Sequence, residues 1–231
     1  MYSMLGTTVN VIAVILGALV GALLKKGMPK RIAEAMTTAV AMIVLYIGID
    51  GMSAGSNTMV LVFAIIFGGL IGTLLNLDAK MHKLGEKIEQ KVSKGSTAGS
   101  VAEGFVSASL LFCVGAMAIV GPLQSGLTGN HEMQYTKGIL DFISAIVFAS
   151  ALGGLGVGLS SITVLVLQGG ITILAKVVAP YLNDYTIGEM TCAGSVLILV
   201  LGLNLMGITK VRLMNYVPAV FVPIVLCLFM K

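Results

Sequence analysis

The stretch AEAMTTAVAMIVLYIGID, Ala33–Asp50, decides the fold. Fifteen uncharged, mostly apolar residues separate Glu34 from Asp50. As a helix they would cover about 22 Å, short of the roughly 30 Å hydrocarbon core of a bilayer. Two readings of the terminal acids compete. The first is capping, since a carboxylate near a helix N-terminus is favoured by the helix dipole. The second is that short spans draw carboxylates inward, toward a packed or wet interior, because a lipid-facing charge costs several kcal/mol.

The rest of the chain settles the solvent of this segment. Of 231 residues, 57% are hydrophobic and only 10% are charged, with a mean hydropathy of +1.03. Soluble domains carry about a quarter charged residues. Strand-like alternation is absent and glycine-studded apolar runs dominate, so the spans are expected to be helices rather than barrel strands. There is no Trp, so an interfacial aromatic belt falls to six Tyr and eight Phe. The net charge of +4 reads as membrane orientation and not as a nucleic-acid footprint. Cys113, Cys192 and Cys227 lie in apolar runs without metal-ligand spacing and read as small buried hydrophobes. The opening MYSMLGTTVNVIAVILG has no basic region or cleavage motif and reads as the start of a span.

Eight apolar segments follow, at about 7–24, 34–50, 58–75, 103–120, 138–159, 162–178, 189–208 and 216–230. The last is short and holds Pro218 and Pro223. Between the third and fourth, Met81, Leu84, Ile88 and Val92 recur at helical spacing, which predicts an amphipathic helix over 78–94 on the membrane surface. The connections after the first, third and seventh segments hold 11 of the 14 Lys and Arg residues. With eight spans they share one face. The positive-inside rule makes that face cytoplasmic and leaves both termini outside.

Three stretches read alike, giving hairpins at about 8–52, 60–121 and 162–208. AVILGALVGALL precedes a helix opening on Glu34, AIIFGGLIGTLL one opening on Glu103, and VLVLQGGITILA one opening on Glu189. Gly17–Gly21 and Gly68–Gly72 are GxxxG pairs that let helices approach closely, within the chain or in a homodimer. By the loop count the third hairpin is inverted. Inverted repeats are a building principle of secondary transporters.

Polar residues inside these spans are the candidate functional groups. Glu34, Glu103, Asp141 and Glu189 sit in first turns, beside small and hydroxyl residues on the same helical faces. Gln168 lies between VLVL and GG and shares a face with Thr172 and Ser161. A buried amide needs partners, from neighbouring helices or from a solute. Asn10 and Asn204 raise the same choice. His82 and His131 fall in polar loops and read as surface residues. The tract GGLGVGLSS lacks the strand–turn–helix setting of a nucleotide loop; it reads as a tight helical hairpin or an unwound solute-facing stretch.

EGFVSASLLFCVGAMAIVGPLQSGL, GVGLSSITVLVLQGGI and LILVLGLNLMGI together resemble the YqgA/YdfK-like family of bacterial inner-membrane proteins, which share domain of unknown function 554. The resemblance runs over essentially the whole chain. It implies a multi-helix domain of the bacterial cytoplasmic membrane and carries over no substrate and no catalytic residues.

The expectation is therefore an all-α integral membrane protein forming one polytopic domain over 1–231. Its leading function is secondary transport of a small polar or charged solute. Gln168, Asn204, Asn10 and Thr172 are the candidate solute contacts; Glu34, Glu103, Asp141 and Glu189 are the candidate proton or cation carriers. A carboxyl in a low-dielectric cavity can take up a proton near neutrality. The alternatives are a non-transporting scaffold, sensor or accessory subunit, and, further off, a channel. No nucleophile–base pair or metal-ligand spacing points to an enzyme, a metal or a cofactor.

Overall fold

A computed structural model of the chain describes residues 4–25, 29–80, 83, 98–114 and 116–229. The main helices are α1 (Leu5–Lys25), α2 (Lys30–Met52), α3 (Thr58–Leu74), α4 (Ala98–Cys113), α5 (Ala116–Thr128), α6 (Glu132–Leu152), α7 (Gly154–Ile173) and α9 (Asp184–Leu205). Short pieces complete it: α8 (Ala175–Val178), a 3-10 segment (Leu213–Val220) and α10 (Val222–Leu226). The amphipathic helix expected over 78–94 lies almost wholly outside the described residues.

Among the described residues four helices, α1, α6, α7 and α9, are long and apolar enough to cross a membrane. Helices α4 and α5 meet at 58° and together make a fifth candidate, either a broken span or a re-entrant one. Thr37–Met52, Thr58–Leu74 and Leu213–Leu226 are shorter apolar helices. Helix α1 shows how the sequence assigns faces. Gly6, Thr7, Asn10, Val14, Gly17, Ala18 and Gly21 are buried at helical spacing, while Ile12, Leu16, Leu19 and Leu23 stay exposed on the other side. An exposed apolar stripe of that length is suited to lipid.

Close approach at glycine sets the packing. A methyl group on Gly17 would stand 2.8 Å from Ala145 Cβ, and one on Gly21 2.7 Å from Ala149 Cβ. These contacts run in step, so α1 and α6 are parallel. Gly154 lies on Ala22 and Gly169 on Met4, so α7 runs antiparallel to α1. Gly48, Gly51 and Gly55 receive Leu199, Ser195 and Cys192 in descending order, which sets α2 antiparallel to α9. Gly68, Gly69 and Gly72 seat Ala219, Tyr216 and Asn215 of the 3-10 segment. Both GxxxG pairs are thus occupied within the chain. Helix α9 is the most enclosed of the four long helices, with 72% of its apolar window buried. Val14, Val40, Phe112, Phe148, Val157 and Leu197 belong to the apolar core between these helices.

Several boundaries differ from the sequence reading, each for a local reason. The fifth segment, read as 138–159, is α6 and begins six residues earlier, because Gln134 and Lys137 are buried inside the bundle and not in a loop. It ends at Leu152, where Gly153 turns the chain at φ 111°. Only glycine adopts that backbone without strain. The remainder of GGLGVGLSS is the first part of α7, which is antiparallel to α1 where α6 is parallel to it, so the tract forms the tight helical hairpin and not a long unwound stretch. GPLQSGLT, beyond the fourth segment as drawn at 103–120, continues as α5 despite Pro122. The eighth segment is not one continuous α-helix: 3-10 helix runs to Val220 and the short α10 follows from Val222, since Pro218 and Pro223 remove backbone donors.

Candidate functional site

Helices α1, α6 and α7 bring one polar face each to a common point. On α6, Lys137 and Asp141 stand one turn apart and form a salt bridge, with Lys137 Nζ donating to Asp141 Oδ1 at 2.8 Å and Oδ2 at 2.9 Å. The two residues are 6% and 5% exposed. From α1, Asn10 Nδ2 donates to Asp141 Oδ2 at 3.0 Å and to Gln168 Oε1 of α7 at 3.1 Å. Gln134 Nε2 donates to Thr7 Oγ1 at 2.9 Å. The Thr7 and Thr172 hydroxyls are 3.4 Å apart, and Thr172 Oγ1 donates to the Pro122 carbonyl of α5 at 3.2 Å. The network therefore spans α1, α5, α6 and α7.

Its chemistry is that of a strained economy of partners. An ion pair withdrawn from water regains its desolvation cost only if further hydrogen bonds complete it. Asn10 supplies one. Yet Asn10 Oδ1, Gln134 Oε1 and Gln168 Nε2 are buried without a partner. Such groups cost about 1–3 kcal/mol each and call for an explanation. None of these side chains lines either of the two described hollows, of about 480 and 160 Å³, although Leu167 and Ile171, chain neighbours of Gln168 and Thr172, line the smaller one.

Four of the sequence candidates, Asn10, Asp141, Gln168 and Thr172, meet here. The other four do not. Glu34 is exposed on α2, near the basic end of the bundle. Glu189 is buried on α9, where its Oε1 accepts from Ser56 N at 2.7 Å, Ser56 Oγ at 3.1 Å and Asn57 N at 2.8 Å. It ties the start of α3 to α9, and Asn57 in turn caps Met59 N. Asn204 braces the turn after α9: its Nδ2 donates to Val211 O at 2.8 Å and its Oδ1 accepts from Val211 N and Thr209 Oγ1. Glu103 is exposed and lines a separate hollow of about 480 Å³ at the end of the bundle that carries Lys210 and Arg212.

Thr7, Gln134 and Lys137 are the members that the sequence reading passed over. Lys137 lies one residue outside the segment at 138–159. The i, i+4 spacing to Asp141, with Gln134 one turn earlier, was the available signal. His131 is half-buried rather than a free surface group; its Nδ1 is 2.6 Å from Ser125 Oγ, which joins α5 to the start of α6.

Comparison with known proteins places this architecture. The model of the family described as Protein of unknown function (DUF554) matches residues 5–228. The chain is 30% identical over 224 residues to the Uncharacterized membrane protein YdfK of Bacillus subtilis, covering 95% of this chain and 94% of that one. It is 30% identical over 218 residues to the Uncharacterized protein YqgA of Escherichia coli, covering 93% and 92% of the two chains. No solved structure matches. A family match over nearly the full length, with a membrane-protein relative and long apolar helices, makes this a membrane protein of the DUF554 family.

Proposed function

We propose that the protein is a secondary transporter of a small polar or charged solute, coupled to a proton or a small cation through Asp141. The observation that carries this reading is the Lys137–Asp141 pair, buried with Asn10 and Gln168 while three neighbouring polar atoms have no partner. Ionisable residues inside membrane helices are costly and mark ion or solute pathways. A proton or cation arriving at Asp141 would release Lys137 and Asn10. The amides of Asn10, Gln134 and Gln168 would then be free to turn toward a solute.

Two features of the fold support it. Helix α5, which follows the 58° break after α4, reaches the network through its Pro122 carbonyl, and discontinuous helices commonly flank transporter sites. Helix α7 runs opposite to α1, which is the relation expected of first helices in inverted hairpins. In this reading the chain makes eight crossings of a bacterial cytoplasmic membrane, with the basic end inside.

The burial of every side chain in the network favours a second reading, a scaffold or sensor in which these groups only fix helix register. Proteoliposome uptake decides between them. Amino acids, organic acids, polyamines and monovalent cations would be offered under an imposed proton gradient. Transport predicts that one class is taken up and that Asp141→Asn abolishes uptake while the protein still folds. Uptake unchanged in Asp141→Asn would remove the coupling role, and no uptake of any class would favour the scaffold.

A further inference from the structure

The hollow at the basic end is a separate site. It lies between the first turns of α4, the last turns of α9 and the turn leading into the 3-10 segment. At about 480 Å³ it falls in the range of small-molecule sites. Lys210 and Arg212 line it from the turn, and among the described residues neither has an ion-pair partner. Two carboxylates also line the hollow, Asp78 and Glu103, the latter within electrostatic reach of Lys25. Ser107, one turn further along α4, also lines the hollow. Its hydroxyl is fully buried and without a partner. Val106, Leu201 and Leu213 add apolar wall.

The turn is built to hold still. Asn204 engages both ends of its amide, Nδ2 to the Val211 carbonyl and Oδ1 to Thr209 Oγ1 and Val211 N, and so braces the residues on either side of Lys210. Gly207 supplies the positive φ of 73° that starts the turn. Two unpaired cations on a braced backbone, a buried hydroxyl and an apolar wall describe a receptor for an anion with a short carbon body.

We infer that this hollow binds a small organic anion, carboxylate or phosphate, with its head on Arg212 and Lys210 and a polar atom on Ser107 Oγ. The site stands apart from the buried network and holds whether or not that network transports. The same head chemistry could arrive as a free solute or as a lipid headgroup.

The experiment uses the full-length protein in phosphatidylcholine nanodiscs. Butyrate, succinate and inorganic phosphate serve as soluble probes, and phosphatidylglycerol in a second set of discs serves as the headgroup probe. Melting temperature and calorimetric affinity are read. At least one anion is expected to bind and to raise the melting temperature. Arg212→Gln and Lys210→Gln should each weaken binding by about tenfold to a hundredfold, with Arg212→Lys intermediate and Ser107→Ala milder. Lys176→Gln, beyond α7, should bind as wild type. A response to soluble probes that Arg212→Gln loses identifies a solute site; one to phosphatidylglycerol alone, lost in the same way, identifies a headgroup site. Should Arg212→Gln fold poorly, Ser107→Ala and Lys210→Gln carry the same comparison. Silence toward every anion, or binding that survives both charge removals, overturns the inference.

Discussion

At the residue scale the molecule turns on two charges one helical turn apart. Removing one member of a buried ion pair strands the other, at a cost of about 3–5 kcal/mol. Asp141→Leu should therefore lower the melting temperature sharply in detergent. Replacing both charges, as Lys137→Met with Asp141→Leu, should recover most of the loss, because an apolar pair of similar volume needs no partners. If the pair serves only register, the double variant keeps every activity of the protein; if it couples transport, the double variant is stable and inactive. Glu189 makes a different case. Its single occupied oxygen accepts two backbone N–H groups and a hydroxyl, a role that an amide oxygen can fill. Glu189→Gln should stay close to wild type, while Glu189→Ala should cost about 1–3 kcal/mol by orphaning those donors. Equal damage from both, measured by thermal shift, would mean that the charge and not the acceptor matters. The sequence shows why Asn10, Asp141, Gln168 and Thr172 were legible: polar groups in apolar runs announce partners. Lys137 was not, because a lysine at a segment edge looks like a loop residue until its turn-spaced aspartate is included in the helix.

Glycine governs the next scale. Its GxxxG pairs are plain in the sequence, but a small-residue stripe does not say which helix it receives. The structure supplies that answer, with Gly17 and Gly21 against α6 and Gly68 and Gly72 against the 3-10 segment. Gly17→Val would drive its side chain into Ala145 and the Phe142 carbonyl, and should cost about 1–3 kcal/mol through overpacking. Gly170 is the matched control, since a methyl there meets nothing within 4 Å. Gly170→Ala should be neutral or stabilising by up to about 1 kcal/mol, the helix-propensity difference. Melting temperatures that fail to separate the two positions would undo the assignment of α6 as the partner of α1. Helix boundaries were harder to read than helix faces. The turn at Gly153 rests on the positive φ of a single glycine, and the break between α4 and α5 falls within one continuous apolar run. Hydropathy averages over such breaks: GPLQSGLT is polar enough to pass for a loop, yet α5 closes over Thr172 through its Pro122 carbonyl.

The whole molecule is asymmetric in charge. Lys25, Lys80, Lys210 and Arg212 gather at the end formed by the C-termini of α1, α3 and α9. The start of α6 and the end of α5 lie at the other end, with Thr7 and Gln134 just inside it. A bilayer with an anionic cytoplasmic leaflet favours one orientation of such a body, with Lys80 inside and Glu132 outside. Exposed thiols can test this, because Cys192 and Cys227 are buried and Cys113 is half-buried. Lys80 and Glu132 are both exposed. In intact cells a membrane-impermeant maleimide should label Glu132→Cys and spare Lys80→Cys, which should react only after permeabilisation. The buried network would then sit toward the outer surface, and the anion hollow would open to the cytoplasm. The reverse labelling pattern would turn the bundle over, and labelling of both positions from outside would mean that α3 and α6 do not begin on the same side.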